Sequence, residues 1–150
     1  MTTSRRTLLG TALVLTTLAS AATSSAPQSL DLRPGLWETK LERELHGKTL
    51  SAQTEKECLT ASDLKEYGDL KGFVTMVALL GQETCTVADY RTEGARTRFN
   101  AACKGDSPAR VAVEANVAAE AYSIVSDVKA GDGNTYRVKL SGRRLGACAG

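Results

Sequence analysis

The sequence predicts a mainly β protein: an antiparallel meander of about seven to eight strands that forms a small barrel or a strongly curved sheet. Three observations support this class. Apolar and polar residues alternate with a period of two over several segments, glycine-containing turns separate those segments, and four cysteines are spread along the chain. A short helical insertion at about residues 60–80 interrupts the meander. The cysteines predict two disulfides that staple the fold.

The first 21 residues have the features of an export signal. Arg5 and Arg6 supply the charged start, an apolar stretch follows to Ala19, and Ala19-Ser20-Ala21 resembles a cleavage site. A membrane anchor is disfavoured because the apolar run is too short to span a hydrocarbon core of roughly 30 Å. Ser4-Arg5-Arg6 followed by Thr7, Leu8 and Leu9 also resembles a twin-arginine signal, and an ordinary secretory signal fits the same residues. We therefore expect export to the periplasm or to the extracellular space, a flexible lead-in over residues 22–31, and one disulfide-stapled β domain over residues 32–150.

Charge and composition exclude several classes of partner. Without the two arginines of the signal, 17 basic side chains face 17 acidic ones, so the mature chain has no net charge to attract nucleic acid. Aromatic residues are also scarce, which disfavours a surface on which bases would stack. Beyond the signal, we find no segment that is long and apolar enough to span a bilayer.

Alternation begins at Gly35 and predicts the first two strands. One face carries three large apolar residues, and the other carries charged ones: Trp37, Leu41 and Leu45 against Glu38, Lys40, Glu42 and Glu44. A turn at His46-Gly47 leads into a second strand that ends near Cys58. A two-residue loop would place Leu41 opposite Ala52 and Trp37 opposite Lys56, with Leu50, Ala52 and Thr54 on the inner face.

Two helices are predicted between this hairpin and the next. Thr60-Ala61-Ser62-Asp63 resembles a capping box and starts a helix that stops at Gly68. The second helix runs from Asp69 to Leu80 and is apolar over much of its circumference. It either covers one end of the sheet or forms a mobile lid over a ligand cavity.

The next hairpin predicts the disulfide pairing. If Glu93-Gly94-Ala95 is its loop, Cys85 faces Cys103, Val87 faces Ala101 and Asp89 faces Phe99. Directly opposed strand positions have a Cα spacing that a disulfide tolerates, so we expect Cys85–Cys103, which leaves Cys58–Cys148. The cysteines lack the close spacing of zinc or thioredoxin-like sites, and the sequence predicts no metal.

Three further strands complete the meander. The first two alternate over Val111 to Val117 and Tyr122 to Val128, although the alanine-rich stretch between them could be helical. Gly131-Asp132-Gly133-Asn134 is predicted as a bare turn rather than a calcium loop. In the last strand, Arg144 shares the face of the apolar residues and Arg143 the opposite face. We expect Arg144 to close the barrel by stacking on Trp37 as a cation–π pair.

The chain resembles, over residues 32–148, a bacterial exported family catalogued only as a domain of unknown function (DUF3617). Four segments carry the resemblance, and three of them contain cysteines. They are Arg33-Pro34-Gly35-Leu36-Trp37-Glu38, Cys58-Leu59-Thr60, Cys85 and Cys103 with Lys104-Gly105, and Arg143-Arg144-Leu145-Gly146-Ala147-Cys148. This resemblance implies an envelope protein and supplies no activity.

A Gly-x-Trp near the start of the first strand, with an arginine late in the last one, is also similar to the lipocalin or calycin pattern. In that family an arginine of the last strand covers the tryptophan of the first, and the fold is a closed barrel. The helical insertion departs from the family, and a one-sided curved sheet packed on the insertion is the alternative.

Nothing in the sequence indicates catalysis or a cofactor. The single histidine, His46, falls at a turn, and no nucleophile elbow, phosphate loop or zinc-protease motif is present. We expect a non-catalytic binding module for a small apolar ligand, with these residues lining its cavity: Leu41, Met76, Val87, Phe99, Ile124 and Val138, with Val113 beside them. The alternative is a filled core and a protein partner at the envelope, bound through an exposed apolar patch over 73–80.

Overall fold

The computed structural model describes residues 28–79 and 84–149, so the predicted signal peptide lies outside the described residues. Seven strands and two short helices follow one another along the chain: β1 (Gly35–Leu45), β2 (Lys48–Leu59), α1 (Ala61–Glu66), α2 (Leu70–Ala78), β3 (Cys85–Glu93), β4 (Arg96–Cys103), β5 (Ala109–Ala118), β6 (Ala121–Ala130) and β7 (Thr135–Gly146). The strands form one antiparallel sheet in the order β2-β1-β7-β6-β5-β4-β3. The predicted β class, the seven strands and the helical insertion are confirmed.

Of the two forms that the sequence predicts, the closed barrel is wrong, because the sheet stays open. β1 pairs with both β2 and β7, as a closed meander requires, but β2 and β3 are the two edges of the described sheet. The helical insertion lies between these two strands in the sequence. Helix α2 packs against one face of the sheet, hereafter the covered face, which includes Trp37, Phe99 and Ile124. The opposite side is the outer face.

The β1–β2 hairpin has its predicted turn but not its predicted register. Leu45 pairs with Lys48 and Glu44 with Thr49, and then a β-bulge leaves Leu50 unpaired, so that Arg43 pairs with Ser51. Every later pair is shifted by one residue, which places Gln53 opposite Leu41 and exchanges the two faces of β2. Leu50 is 59% exposed instead of lying on the inner face.

The β3–β4 hairpin differs from the predicted pairing at two places, and the two shifts in register cancel. Its loop is Gly94-Ala95, one residue shorter than predicted, and a bulge between Ala88 and Arg91 restores the predicted register beyond it. Cys85 therefore faces Cys103 and Val87 faces Ala101, as predicted. The predicted Asp89–Phe99 pair is wrong, since Asp89 sits in the bulge with a φ of 55° and the Tyr90 ring stacks on Phe99 at 5.8 Å.

Both helices start where the sequence predicts. The Thr60 hydroxyl accepts from the Asp63 backbone N–H at 3.2 Å, and the Asp63 carboxylate accepts from the Thr60 N–H at 2.7 Å, which forms the expected capping box. Asp69 caps α2 by accepting from the Gly72 N–H at 2.7 Å. α2 ends at Ala78 with Leu79 as its C-cap, before the predicted end at Leu80.

The core lies between α2 and the covered face of the central strands. α2 buries Leu70, Phe73 and Val74, and the alternate residues of β4, β5 and β6 meet them. The stretch between Val117 and Ala121, left open as strand or helix, is the tight end of the β5–β6 hairpin, where Ala118 pairs with Ala121. None of the helices in the described ranges is long and apolar enough to cross a bilayer.

Replacing Gly142 by alanine should destabilise the fold by about 1–3 kcal/mol, because a Cβ there would overlap the ring of Tyr122 and lie 2.8 Å from its hydroxyl oxygen. Urea denaturation of the purified mature protein measures this. Ser141→Ala, a neighbouring exposed position on the outer face, is the matched control. Equal free energies of unfolding for the two variants would contradict the close contact between β7 and Tyr122.

Candidate functional site

The residues predicted to close a barrel instead join β1 to β7 inside the open sheet. Trp37 pairs with Arg144 across the two strands, with a bulge between Leu36 and Trp37. The indole is fully buried, and its N–H donates to the Arg33 carbonyl at 3.0 Å. Its ring stacks on Tyr122 at 5.8 Å. The strand pairing is as predicted, but the cation–π contact with Arg144 is not among the ring contacts of the described residues.

Arg144 binds backbone and carboxylate groups instead of the indole. Its Nε donates to the Pro34 carbonyl at 2.8 Å, and its Nη1 lies 3.9 Å from the Glu120 carboxylate. Arg33 donates to the same carboxylate at 3.2 Å. The arginine thus fastens the end of β7 to the segment before β1 and to the β5–β6 turn.

Glycine at position 35 makes this arrangement possible. Gly35 has a φ of 150°, and a Cβ there would lie 2.6 Å from the Arg144 Nε and overlap the Gly146 carbonyl oxygen. Only glycine leaves room for the guanidinium to reach Pro34. The motif Arg33-Pro34-Gly35-Leu36-Trp37 therefore has a structural role at the junction of the first and last strands.

Both predicted disulfides are confirmed. Cys58–Cys148 joins the end of β2 to the segment after β7 and spans β1, which lies between them. Cys85–Cys103 joins the edge strand β3 to β4. Each bridge therefore fastens one edge strand of the open sheet.

Apart from Met76 on α2, the predicted ligand-lining residues share the covered face of the sheet, but they differ in how deeply they are buried. Phe99 and Ile124 are 3% and 2% exposed beneath the helical insertion, and Val113 beside them is buried too. Three others are half-buried towards the margins of the same face: Leu41, Val87 and Val138. Met76 on α2 is 47% exposed. In the predicted apolar patch over 73–80, α2 turns Phe73 and Val74 inward, and Leu80 lies outside the described residues.

An aromatic chain fills the space between α2 and the sheet. Phe73 packs edge-on against Tyr122 at 5.4 Å and against Tyr67 at 5.1 Å, and Tyr122 stacks on Trp37. Burial raises the pKa of Tyr122, whose hydroxyl shares a hydrogen bond of 3.1 Å with Thr39. The pKa of Tyr67 is also raised, chiefly by burial and then by the charge of Glu57. Apolar and aromatic groups therefore occupy the position proposed for a ligand.

Sequence reasoning did not find a groove that lies on the outer face of β3 to β7. It has a volume of 760 Å³ and is lined mainly by charged side chains, among them Arg91, Arg98, Glu114 and Asp127. A second groove of 520 Å³ shares Asn100, Ala112 and Asp127 with it and has alanines in its floor. The alternation predicted a wet face here, but the alignment of small residues across four strands depends on the register.

The outer face also carries ion pairs between neighbouring strands. Arg96 and Arg98 both bind Glu114, at 2.6 and 3.1 Å, and these contacts lower the pKa of the Glu114 carboxyl. Arg137 binds Asp127 through two hydrogen bonds, at 2.7 and 3.0 Å, which raise the pKa of the guanidinium. Within the described part of the chain, no three His, Cys, Asp or Glu side chains form a group that could hold a metal. The absence of a metal, a cofactor and an enzymatic activity stays a prediction.

The fold and its surface define a class of protein: a one-sheet antiparallel β domain, covered on one face by a helical insertion and stapled at both edges by disulfides. The chain belongs to the family described as "Protein of unknown function (DUF3617)", whose model matches residues 32–148. That match confirms the family resemblance in the sequence. No curated protein and no solved structure matches the chain, so the likeness to calycins has no support beyond the Gly-x-Trp pattern.

Arg144→Ala should destabilise the fold by about 1.5–3 kcal/mol, since it removes a charge-assisted hydrogen bond to a carbonyl at the half-buried strand junction. Arg143→Ala is the control: its ion pair with Glu38 is exposed, and its loss should cost about 0–1 kcal/mol. Thermal melting of both variants, read by circular dichroism, makes the comparison. Equal melting temperatures would contradict the role of Arg144 at the junction.

Removing the Cys58–Cys148 bridge should destabilise the protein more than removing Cys85–Cys103. The reason is that the first bridge closes a loop of 90 residues and the second a loop of 18. The loop-entropy relation gives about 4.6 against about 3.2 kcal/mol. Denaturation of the two double alanine variants measures the order. Peptide mapping without reduction should first recover both bridges, and a Cys58–Cys85 peptide would refute the pairing.

Proposed function

We propose that the protein is a non-catalytic interaction module, exported to the periplasm of a bacterium, that binds a partner protein through the free edge of β2. Two disulfides support the exported location, because such bridges persist in oxidising compartments. The filled covered face supports a surface function over an internal ligand. The observation that carries the proposal is the exposure of β2, in which only Leu59 of the twelve residues is buried.

The edge of β2 is suited to pairing with another strand. From Ser51 to Leu59, β2 pairs with β1 without irregularity, and its other edge has no partner in the described sheet. Such an edge presents backbone N–H and C=O groups to which an extended segment can be added as a new strand. The other edge strand, β3, is interrupted by the bulge at Asp89, a feature that discourages pairing.

The charges of β2 indicate what kind of strand it binds. Glu55 and Glu57 lie on the same side of the strand as Gln53, because side chains alternate with a period of two, and the register shift places that side opposite Trp37 and Thr39 of β1. Neither glutamate forms an ion pair with any other residue of the described ranges. A partner strand with lysine or arginine at alternate positions would place its cations opposite these carboxylates. We therefore expect the partner to present an extended basic segment.

A small apolar ligand beneath α2 is the second candidate. One observation favours it: the Thr75 hydroxyl on α2 is buried with no hydrogen-bond partner among the described residues. A buried hydroxyl without a partner weakens the packing of the helix against the sheet. If α2 moved as a lid, Phe99 and Ile124 would become the walls of an apolar site. The aromatic contacts of Phe73 oppose that movement, so we place this candidate second.

A photo-crosslinking residue at Gln53, in the protein exported by living cells, tests the first candidate. We expect one reproducible protein adduct whose crosslinked peptide is extended and basic. Reversing both charges with Glu55→Lys and Glu57→Lys should reduce its yield roughly tenfold, since like charges across an interface disfavour binding. The free energy of unfolding should change by about 0.5 kcal/mol or less, because both positions are exposed.

Two controls make this experiment decisive. The pair Glu93→Lys and Asp106→Lys makes the same change in charge at exposed positions on the β3–β4 side of the sheet, opposite to β2, and should leave the adduct unchanged. A crosslinker at Ser123, on the outer face, should not give this adduct. The same yield from the β2 variant and from the wild type would refute binding at this edge.

Native mass spectrometry of the mature protein, taken gently from the periplasm, distinguishes the two candidates. The first predicts the bare mass with two disulfides once the partner has dissociated. A reproducible additional mass from a small molecule would instead support the ligand beneath α2. Substitutions in the outer grooves should then leave that mass in place, and substitutions where α2 packs on the sheet should remove it.

A further inference from the structure

We propose that the outer face carries a separate binding site for a single-chain anionic amphiphile, such as an alkyl carboxylate. The site is the trough across β3 to β6 where the two outer grooves meet, and it is independent of the β2 edge. Its floor binds the alkyl chain and its margins bind the anionic head group.

The floor is a row of small side chains aligned by the register. Ala88 pairs with Asn100, Asn100 with Ala112, and Ala112 with Asp127, so the row crosses four neighbouring strands. Three interstrand spacings of about 4.8 Å give it a length of roughly 14 Å. Ala102 widens the floor on one side. The result is a trough whose floor carries the methyl groups of Ala88, Ala102 and Ala112 together with the Asn100 amide and the Asp127 carboxylate.

Long charged side chains form the two margins. On one side, Arg91 pairs with Arg98, and Arg98 with Glu114. On the other, Arg110 pairs with Lys129. These rows lie immediately on either side of the floor in the same registers, and they line the grooves of 760 and 520 Å³. The trough therefore exists because short residues lie between two rows of long ones.

Three of the marginal cations lack a carboxylate partner. Arg98 shares Glu114 with Arg96, and Arg137 holds Asp127 at the far end. Across residues 28–79 and 84–149, no ion pair involves Arg91, Arg110 or Lys129.

Two further acids, Asp89 and Glu93, line the same groove as Arg91, and neither forms an ion pair with it. Asp89 accepts from the Asn100 amide at 3.3 Å, and Glu93 lies beyond Arg91 towards the hairpin loop. Arg91 and Arg98 also face each other directly, an arrangement that is unfavourable without an anion between them. A carboxylate bound here would supply that missing charge.

The backbone of the floor selects an alkyl chain over a peptide. β4 and β5 each pair with a strand on both sides, so their backbone N–H and C=O groups are already used in the sheet. A peptide laid in the trough would find no backbone partner for its own amides, whereas an alkyl chain needs none. No aromatic ring lies in the row of the floor, so it offers no stacking surface for a nucleobase.

Titration with decanoate, well below its micelle concentration, tests the proposal on the mature, disulfide-bonded protein. We expect saturable binding by calorimetry, and amide chemical-shift changes centred on Asn100 and Ala112. Adding salt should weaken the binding, because the head group is held by exposed cations. The uncharged 1-decanol should bind at least about tenfold more weakly, since it has no charge for the arginines.

Two variants and one control locate the site. Arg91→Glu with Arg110→Glu should weaken decanoate binding at least about tenfold, because it reverses one cation in each margin. Ala112→Phe should block the floor, and it points outward, so the core should be unaffected. Lys48→Glu with Lys65→Glu makes the same change in charge at exposed positions elsewhere and should bind like the wild type.

Three results would overturn the proposal. The first is no saturable binding of decanoate by the wild type, and the second is equal affinity in all variants, which indicates general adsorption. The third is a set of shifts centred on α2 and Ile124, which would place the ligand beneath the helix. The Glu55→Lys, Glu57→Lys variant should still bind decanoate, so failure of one proposal leaves the other standing.

Discussion

Strands β1 and β7 pair from Leu45 and Tyr136 at one end to Leu36 and Gly146 at the other, and most of the molecule depends on this pairing. It brings the two ends of the described chain together and places Trp37 against Tyr122 of β6. It also makes β1 an interior strand, so that β2 becomes an edge. Gly35 and Arg144 fasten the junction at its end, because only a residue without a side chain lets the guanidinium reach the Pro34 carbonyl.

The same pairing explains why the sheet is nearly, but not fully, cyclic. Every neighbouring pair of a seven-stranded closed meander is present except β2 with β3. The segment between those two strands folds as α1 and α2, and α2 places Phe73 and Val74 where the interior of a barrel would be. The helical insertion therefore accounts for both the filled interior and the two unpaired edges of the described sheet. Each disulfide fastens one of the two edge strands.

Because the sheet is open and its covered face is filled, both sites proposed above lie on its edge and its outer face. The two proposed sites use different chemistry. The β2 edge offers backbone hydrogen bonds and unpaired carboxylates, whereas the trough offers methyl groups between unpaired cations. They are separated by β1 and β7 in the sheet, so each can be altered without changing the other.

The sequence by itself determined the local features: the period of two in the strands, the turns at His46-Gly47 and after Ala130, the Thr60–Asp63 capping box and the facing cysteines Cys85 and Cys103. Each depends on residues close in the chain or on one hairpin register. The tertiary structure decided the rest. The bulge at Leu50 exchanged the faces of β2, the bulge after Ala88 removed Asp89 from its predicted pair, and the packing of α2 kept the sheet open. The physical reason is that one extra residue reverses the alternation of all that follow, and its position depends on twist and packing across strands rather than on local residue preference. The row of small residues in the trough became visible only once four registers were known together, because its members are far apart in sequence and ordinary one by one.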